Sequence, residues 1–200
     1  MSNDEIFGAL RKRLPISEKR YKIVRTCSAR MCHDTVPYLP DLNRMLLAIR
    51  KQEPARRKSW PFGGWQKIGF SQRESLARLV KDESGIDIQY AEPFERPLDM
   101  FWSTGPKEMG LDGIPVHDVA QYYTTIGRGE INPNNVHSFR LISPEDYLRE
   151  KESMEFWTRV GMDRAANKFW RMNVEEMPFP LYLADSKPIY EKQDCISQYI

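Results

Sequence analysis

Apolar residues recur at helical spacing in some stretches of the chain and at strand spacing in others. Over Trp60–Ile88, WPFGGWQKIGFSQRESLARLVKDESGIDI, a glycine turn and a loop lead into a helix with Leu76, Leu79 and Val80 as its apolar stripe. Glu74, Arg78 and Asp82 stand four apart, stacked on the polar side, and Glu83 follows. Ser71 with Glu74 three residues on has the capping-box pattern, and Gly85 suits the left-handed residue that ends a helix.

Elsewhere the pattern predicts a helix over 4–14, closed by Pro15, and strands over Tyr21–Cys27, Arg44–Arg50, Asp87–Glu92, Val116–Ile126 and Val136–Ile142. HDTVPYLPDLN, with two prolines, reads as a loop between two strands. FERPLDMFW is rich in aromatics, which suit either core or a strand near a site. Ser143, with Asp146 at the third helical position, predicts the N-terminus of a helical run over 145–172 that Gly161 divides in two. Past Asn173 the prolines return, and the segment reads as an extended arm whose apolar residues dock on its own domain or on a partner.

Composition narrows the classes. Two hundred residues suit one domain with extensions, and a net charge of +2 implies no field for nucleic acid or a membrane surface. The basic clusters at 11–13 and 56–58 read as solvated surface. No apolar run is long enough to span a membrane, and MSNDEIFGAL lacks the core of a secretory signal. Three cysteines point to a reducing compartment, so the expected location is cytoplasmic. Cys27, Cys32 and His33 lie close together but have no evident fourth ligand for zinc.

Laid on from Gly64, the central stretch resembles the Nudix box, G-x5-E-x7-R-E-U-x-E-E-x-G-U with U apolar. Arg78, Val80, Glu83, Gly85 and Ile86 match, and Asp82 replaces the first acid of the EE pair. Phe70 and Leu79 stand where two further acids belong, so the box is degenerate. The approach, RMLLAIRKQEPARRKSWPFGG, is similar to the GDP-mannose mannosyl hydrolase branch of that superfamily, with its LLxxR strand, Pro-Ala loop, Trp and GG pair.

The resemblance implies an α+β fold, a mixed sheet between helices, over residues 21–173, preceded by a helical extension at 1–20 and followed by an arm at 174–200. It implies Mg²⁺, or Mn²⁺ in its place, held by Glu83, Asp82 and a carbonyl of Gly63. Arg50 is assigned to the substrate diphosphate and Tyr122 to the substrate. Trp65 sits on the substrate side, where the branch carries an arginine. Arg78 orients the acids and aids the leaving group; its alternative is a surface pair with Glu74 or Asp82, contributing only about 0.3–0.5 kcal/mol. The general base is His137, one position from the branch's histidine column, or Glu130 in the preceding loop. His33 and His117 read as incidental. The implied activity is release of sugar and nucleoside diphosphate from a nucleotide sugar. The alternatives are a diphosphatase cutting a P–O bond in another nucleoside diphosphate derivative, and an inactive binding or assembly subunit, a homodimer among the options, that docks through its arm.

Overall fold

One strand, bordered on both edges, organises the sheet. The computed structural model describes residues 30–51, 57–102, 116–132, 138–176 and 182–183. The helix expected over 4–14, the strand over Tyr21–Cys27, His137 and most of the arm lie outside the described residues. Strand β1 (Arg30–Leu39) runs parallel to β7 (Val116–Arg128) along one edge, from Arg30 opposite Asp118 to Tyr38 opposite Ile126. Its other edge is shared. Cys32–Thr35 pair antiparallel with β4 (Phe62–Trp65), and Tyr38–Leu39 pair with β2 (Arg44–Ile49). Strand β2 also pairs with β3 (Ser59–Trp60) and β8 (Ser138–Ile142), while β7 carries β5 (Asp87–Pro93) and β6 (Leu98–Trp102). A two-residue β9 (Tyr182–Leu183) pairs parallel with β6.

The expected loop HDTVPYLPDLN is therefore mostly strand. Only Pro40–Leu42 forms a short 3-10 turn, closed by Asn43 in the left-handed conformation. Pro37 had argued for a loop, since proline cannot donate to a ladder. It is tolerated because it falls between the stretches of β1 that β4 and β2 cover.

Alternation along the strands builds two apolar layers. Leu46, Ala48, Phe62 and Tyr123 meet Leu76 and Val80 of helix α1 (Gln72–Ser84) on one face. Cys32, Ala120 and Tyr122 meet Trp157 and Val160 of α3 (Phe156–Trp170) on the other, where Val36, Met45 and Leu47 meet Met162 and Ala165. Between β8 and α3 lies the short α2 (Pro144–Glu150), started by the Ser143–Asp146 capping box. The sheet is thus mixed and lies between helices, as expected.

The break in the C-terminal helical run falls at Lys151–Glu155, not at Gly161. Gly161 sits inside α3 for a packing reason. A Cβ there would meet Val36 Cγ2 at 3.1 Å and Tyr122 Cε1 at 3.2 Å. The helix approaches the sheet as closely as it does because that atom is missing. Replacing Gly161 with Leu should lower stability by about 1–3 kcal/mol through overpacking, read as a drop in urea midpoint at unchanged slope.

Candidate active site

The shared edge of β1 makes a fork. Tyr38 pairs with Met45, a register that would set Ile49 opposite Asp34, but Ile49 pairs with Ser59 and Ser138 instead. Strands β1 and β2 have therefore parted where β1 takes β4 as its neighbour. Asp34 lies on one prong, with Gly63 its partner on β4. A Cβ built on Gly63 would fall 1.6 Å from Asp34 Oδ1, so the carboxylate occupies the room a side chain would need. On the other prong Arg50 follows β2, its guanidinium 4.6 Å from the centre of the Trp60 ring.

Helix α1 brings Glu83 to the same place. Both its ends form as the sequence implies, with a complete Ser71–Glu74 capping box and Gly85 at φ 85°. Leu79 touches the glycine pair directly: a Cβ on Gly64 would lie 2.7 Å from Leu79 Cδ1. The loop before the helix is tied down from several sides. Gln66 N–H donates to Met31 O at 3.0 Å, and Lys67 N–H donates to Ser75 Oγ at 3.0 Å. Ser75 in turn bonds His33 Nε2 at 2.7 Å, with both residues wholly buried. Arg78 lays its guanidinium over Phe70, 4.4 Å from the ring centre, instead of pairing with Glu74 or Asp82.

Charge is distributed unevenly around the fork. Arg30 grips Asp118 bidentately, at 2.7 and 2.8 Å, and stacks 4.0 Å from the Trp65 ring centre. Asp34 has no such partner. Burial pushes its pKa up to about 7, and neighbouring Asp118 adds to the rise against Arg50 and Arg30. Glu83 is likewise pushed up to about 7, by burial first and Asp82 second, with Lys67 and Arg50 opposing. Arg50 is thus an electrostatic neighbour of both carboxylates. Among the described residues neither carboxylate has a hydrogen-bond partner.

Of the residues singled out in the sequence, the fold brings Arg50, Gly63 and Glu83 together at the fork. Asp82 is turned outward, its side chain 70% exposed and 3.7 Å from Lys67. Arg78 braces the loop through Phe70. Trp65 packs against the core, and the arginine beside it, Arg30, comes from β1. Glu130 is exposed in the loop against Gly85, and the electrostatic neighbours of Glu83 do not include it. Tyr122, assigned to the substrate by resemblance, is completely buried and donates its hydroxyl to Trp157 O at 2.9 Å, within the core beneath α3. Its neighbour Tyr123 faces the α1 side and bonds Gln72. His33 is a structural link between sheet and helix.

The sequence reading missed Asp34. Its signal was an acid in the series Cys32, Asp34, Val36, Tyr38, which alternates only once HDTVPYLPDLN is read as strand. Among the described residues no group of three or more His, Cys, Asp or Glu side chains is gathered as a metal cage. The arrangement instead offers the carboxylates of buried Asp34 and half-buried Glu83 beside a glycine backbone, with Arg50 as a cationic neighbour.

Two predictions follow from this geometry. A carboxylate whose folded pKa lies above its unfolded value holds extra protons in the folded state between the two values. Stability therefore falls as pH rises through that window and is level above it. For Asp34 the window runs from 3.8 to about 7, on the order of 4 kcal/mol. His33, whose pKa burial lowers, acts in the opposite sense. The comparison is therefore between wild type and Asp34→Asn in metal-free buffer: urea midpoints from pH 4.5 to 8.5 should show the variant gaining on wild type as pH rises, then running parallel. Separately, Tyr122→Phe should cost about 1 kcal/mol of stability, the worth of one buried hydrogen bond, and leave ligand affinity unchanged by calorimetry.

No family model and no curated protein matches the chain. Solved structures do. A possible asymmetric diadenosine tetraphosphate hydrolase from Jonesia denitrificans aligns at 15% identity over 74% of this chain and 99% of that one, with a TM-score of 0.54. The NUDIX domain of NrtR from Shewanella oneidensis, complexed with ADP ribose, aligns at 15% identity over 67% and 88%, with a TM-score of 0.47. A MutT NUDIX hydrolase from Burkholderia pseudomallei aligns at 20% identity over 60% and 86%, with a TM-score of 0.45. The chain thus has an α+β, Nudix-like fold, with its mixed sheet held between helices.

Proposed function

We propose that the protein is a Mg²⁺-dependent hydrolase of nucleoside diphosphate derivatives, with a nucleotide sugar as substrate. The observation that carries this reading is the meeting of Arg50 and Glu83 beside Asp34 and Gly63, from four separate elements, in a fork where burial leaves two carboxylates near pKa 7. The donor set fits a hard divalent cation, which prefers carboxylate and carbonyl oxygens. Glu83 and the Gly63 backbone would hold it, with Asp34 adjoining; Asp82 faces solvent and stays outside. When bound, the ion neutralises charge on the diphosphate.

The chain's own residues do the rest. Arg50 binds and orients the diphosphate. Arg78, stacked on Phe70, fixes the loop that carries the glycine pair to the helix. In the favoured reaction a water oxygen bonds to sugar C1 as the C1–O bond to the diphosphate breaks. The electron pair departs with the nucleoside diphosphate, and the water proton passes to a base. His137 is the proposed base; Asp34, with a pKa of about 7, is the alternative among the described residues. The choice of a nucleotide sugar rests on the resemblance over residues 44–64 and on Phe70 and Leu79, whose apolar side chains leave too few acids for a metal cluster.

The test is product identification after incubation with Mg²⁺ and a panel of nucleotide sugars and other nucleoside diphosphate compounds. Free sugar plus nucleoside diphosphate is expected. Glu83→Gln should lower the rate by more than the roughly 100-fold that loss of an outer-shell partner costs. Nucleoside monophosphate plus sugar phosphate would mean P–O cleavage. No turnover with Mg²⁺ or Mn²⁺, and no change in Glu83→Gln, would make the protein a binding or assembly subunit.

A further inference from the structure

We propose that Lys67 is a second substrate-binding residue of this site, an ammonium that works with Arg50 to receive the diphosphate. The inference rests on the hydrolase reading and adds to it a cation that the box pattern does not contain.

The first support is the way the backbone of Lys67 is held. Its N–H donates to Ser75 Oγ at 3.0 Å, its carbonyl accepts from Phe70 N–H at 3.3 Å, and Ser75 is anchored by buried His33 at 2.7 Å. A solvated surface lysine needs no buried anchor. Here the buried pair of His33 and Ser75 fixes the point from which the side chain leaves. Buried polar groups are costly unless paired, so their presence at this position calls for a reason.

The second support is where the ammonium lies. Lys67 Nζ is 3.7 Å from Asp82, with the two side chains 50% and 70% exposed. An exposed pair of that kind is weak, so the ammonium can turn to a better anion at little cost. Asp82 directly precedes Glu83 on α1, so the ammonium stands beside the turn of the helix that carries that carboxylate.

The third support is charge balance. Asp34, Asp82 and Glu83 offer three negative charges when ionised, and Lys67 and Arg50 offer two positive ones. One divalent cation turns that small deficit into a small surplus, enough to hold an anion. With Phe70 and Leu79 in acid positions, further metal ions lack ligands. A lysine near the helix supplies positive charge from the chain itself, and an ammonium suits phosphate as a point charge.

The experiment compares wild type, Lys67→Met and Lys67→Arg by calorimetry, with ADP in the presence of Mg²⁺ and with Mg²⁺ alone. Unchanged melting temperatures confirm that each variant folds. Lys67→Met should bind ADP at least tenfold more weakly, with a shallower dependence on salt, while its affinity for Mg²⁺ alone does not fall. Lys67→Arg should bind within a few-fold of wild type. With a turned-over substrate, KM should rise in Lys67→Met by more than kcat falls. ADP binding by wild type that Lys67→Met reproduces, at the same salt dependence, overturns the role of Lys67 and leaves the hydrolase reading standing. Failure of wild type to bind ADP overturns both.

Discussion

A strand has two edges, and β1 is asked to serve three neighbours. One edge is committed to β7 along its whole length. The other must serve β4 and then β2, so β2 has to leave. That departure opens a place where groups from a strand end, a glycine pair and a helix meet. Buried backbone groups left without partners cost about 1–3 kcal/mol each, which limits how the parting can be made. Pro37, with no N–H, stands at the changeover. The position of α1 follows from the same geometry, since Leu79 sits against Gly64 and Ser75 against His33.

The two faces of β1 handle charge differently. Arg30 and Asp118, opposite each other on the parallel pair, neutralise one another in a bidentate grip. Four residues along, Asp34 shares that face without a hydrogen-bonded partner among the described residues. Burying a charge is repaid only by well-placed opposite charge and hydrogen bonds. The first pair therefore reads as architecture. The second carboxylate is held at an energetic cost that a catalytic or binding site can use and a scaffold alone would not need. On the helix face the buried polar groups, His33 and Ser75, stay neutral and act through a hydrogen bond.

What was legible in the sequence was local chemistry. Ser71 and Glu74, Gly85, and Ser143 with Asp146 act within a few residues of themselves, and each does in the fold what its spacing implies. The buried strand at Arg44–Ile49 was legible because its apolar run is continuous and compact. What escaped reading depended on contacts across long separations. Gly161 looked like a helix breaker because its reason for being small lies on β1 and β7. Tyr122 and Tyr123 differ by one position and face opposite sides of the sheet, so a register carried over by resemblance could not show that Tyr122 points into the core. Asp34 hid behind two prolines, and only β4, β7 and β2 together make its segment a strand. Lys67 carries no motif at all; its position is set by a serine eight residues on and a histidine on another element.

The stack of Arg78 on Phe70 has a bearing on when the site takes shape. A loop tethered by carboxylates that also bind metal becomes ordered as the metal arrives, and ordering and loading are then one event. Here the loop is held by an aromatic ring, a guanidinium and a serine on the buried face of the helix. None of these has to be given up to a cation. The fork is thus shaped by the chain's own contacts, so the entropy of arranging it is lost during folding and would not be charged to the affinity for a ligand.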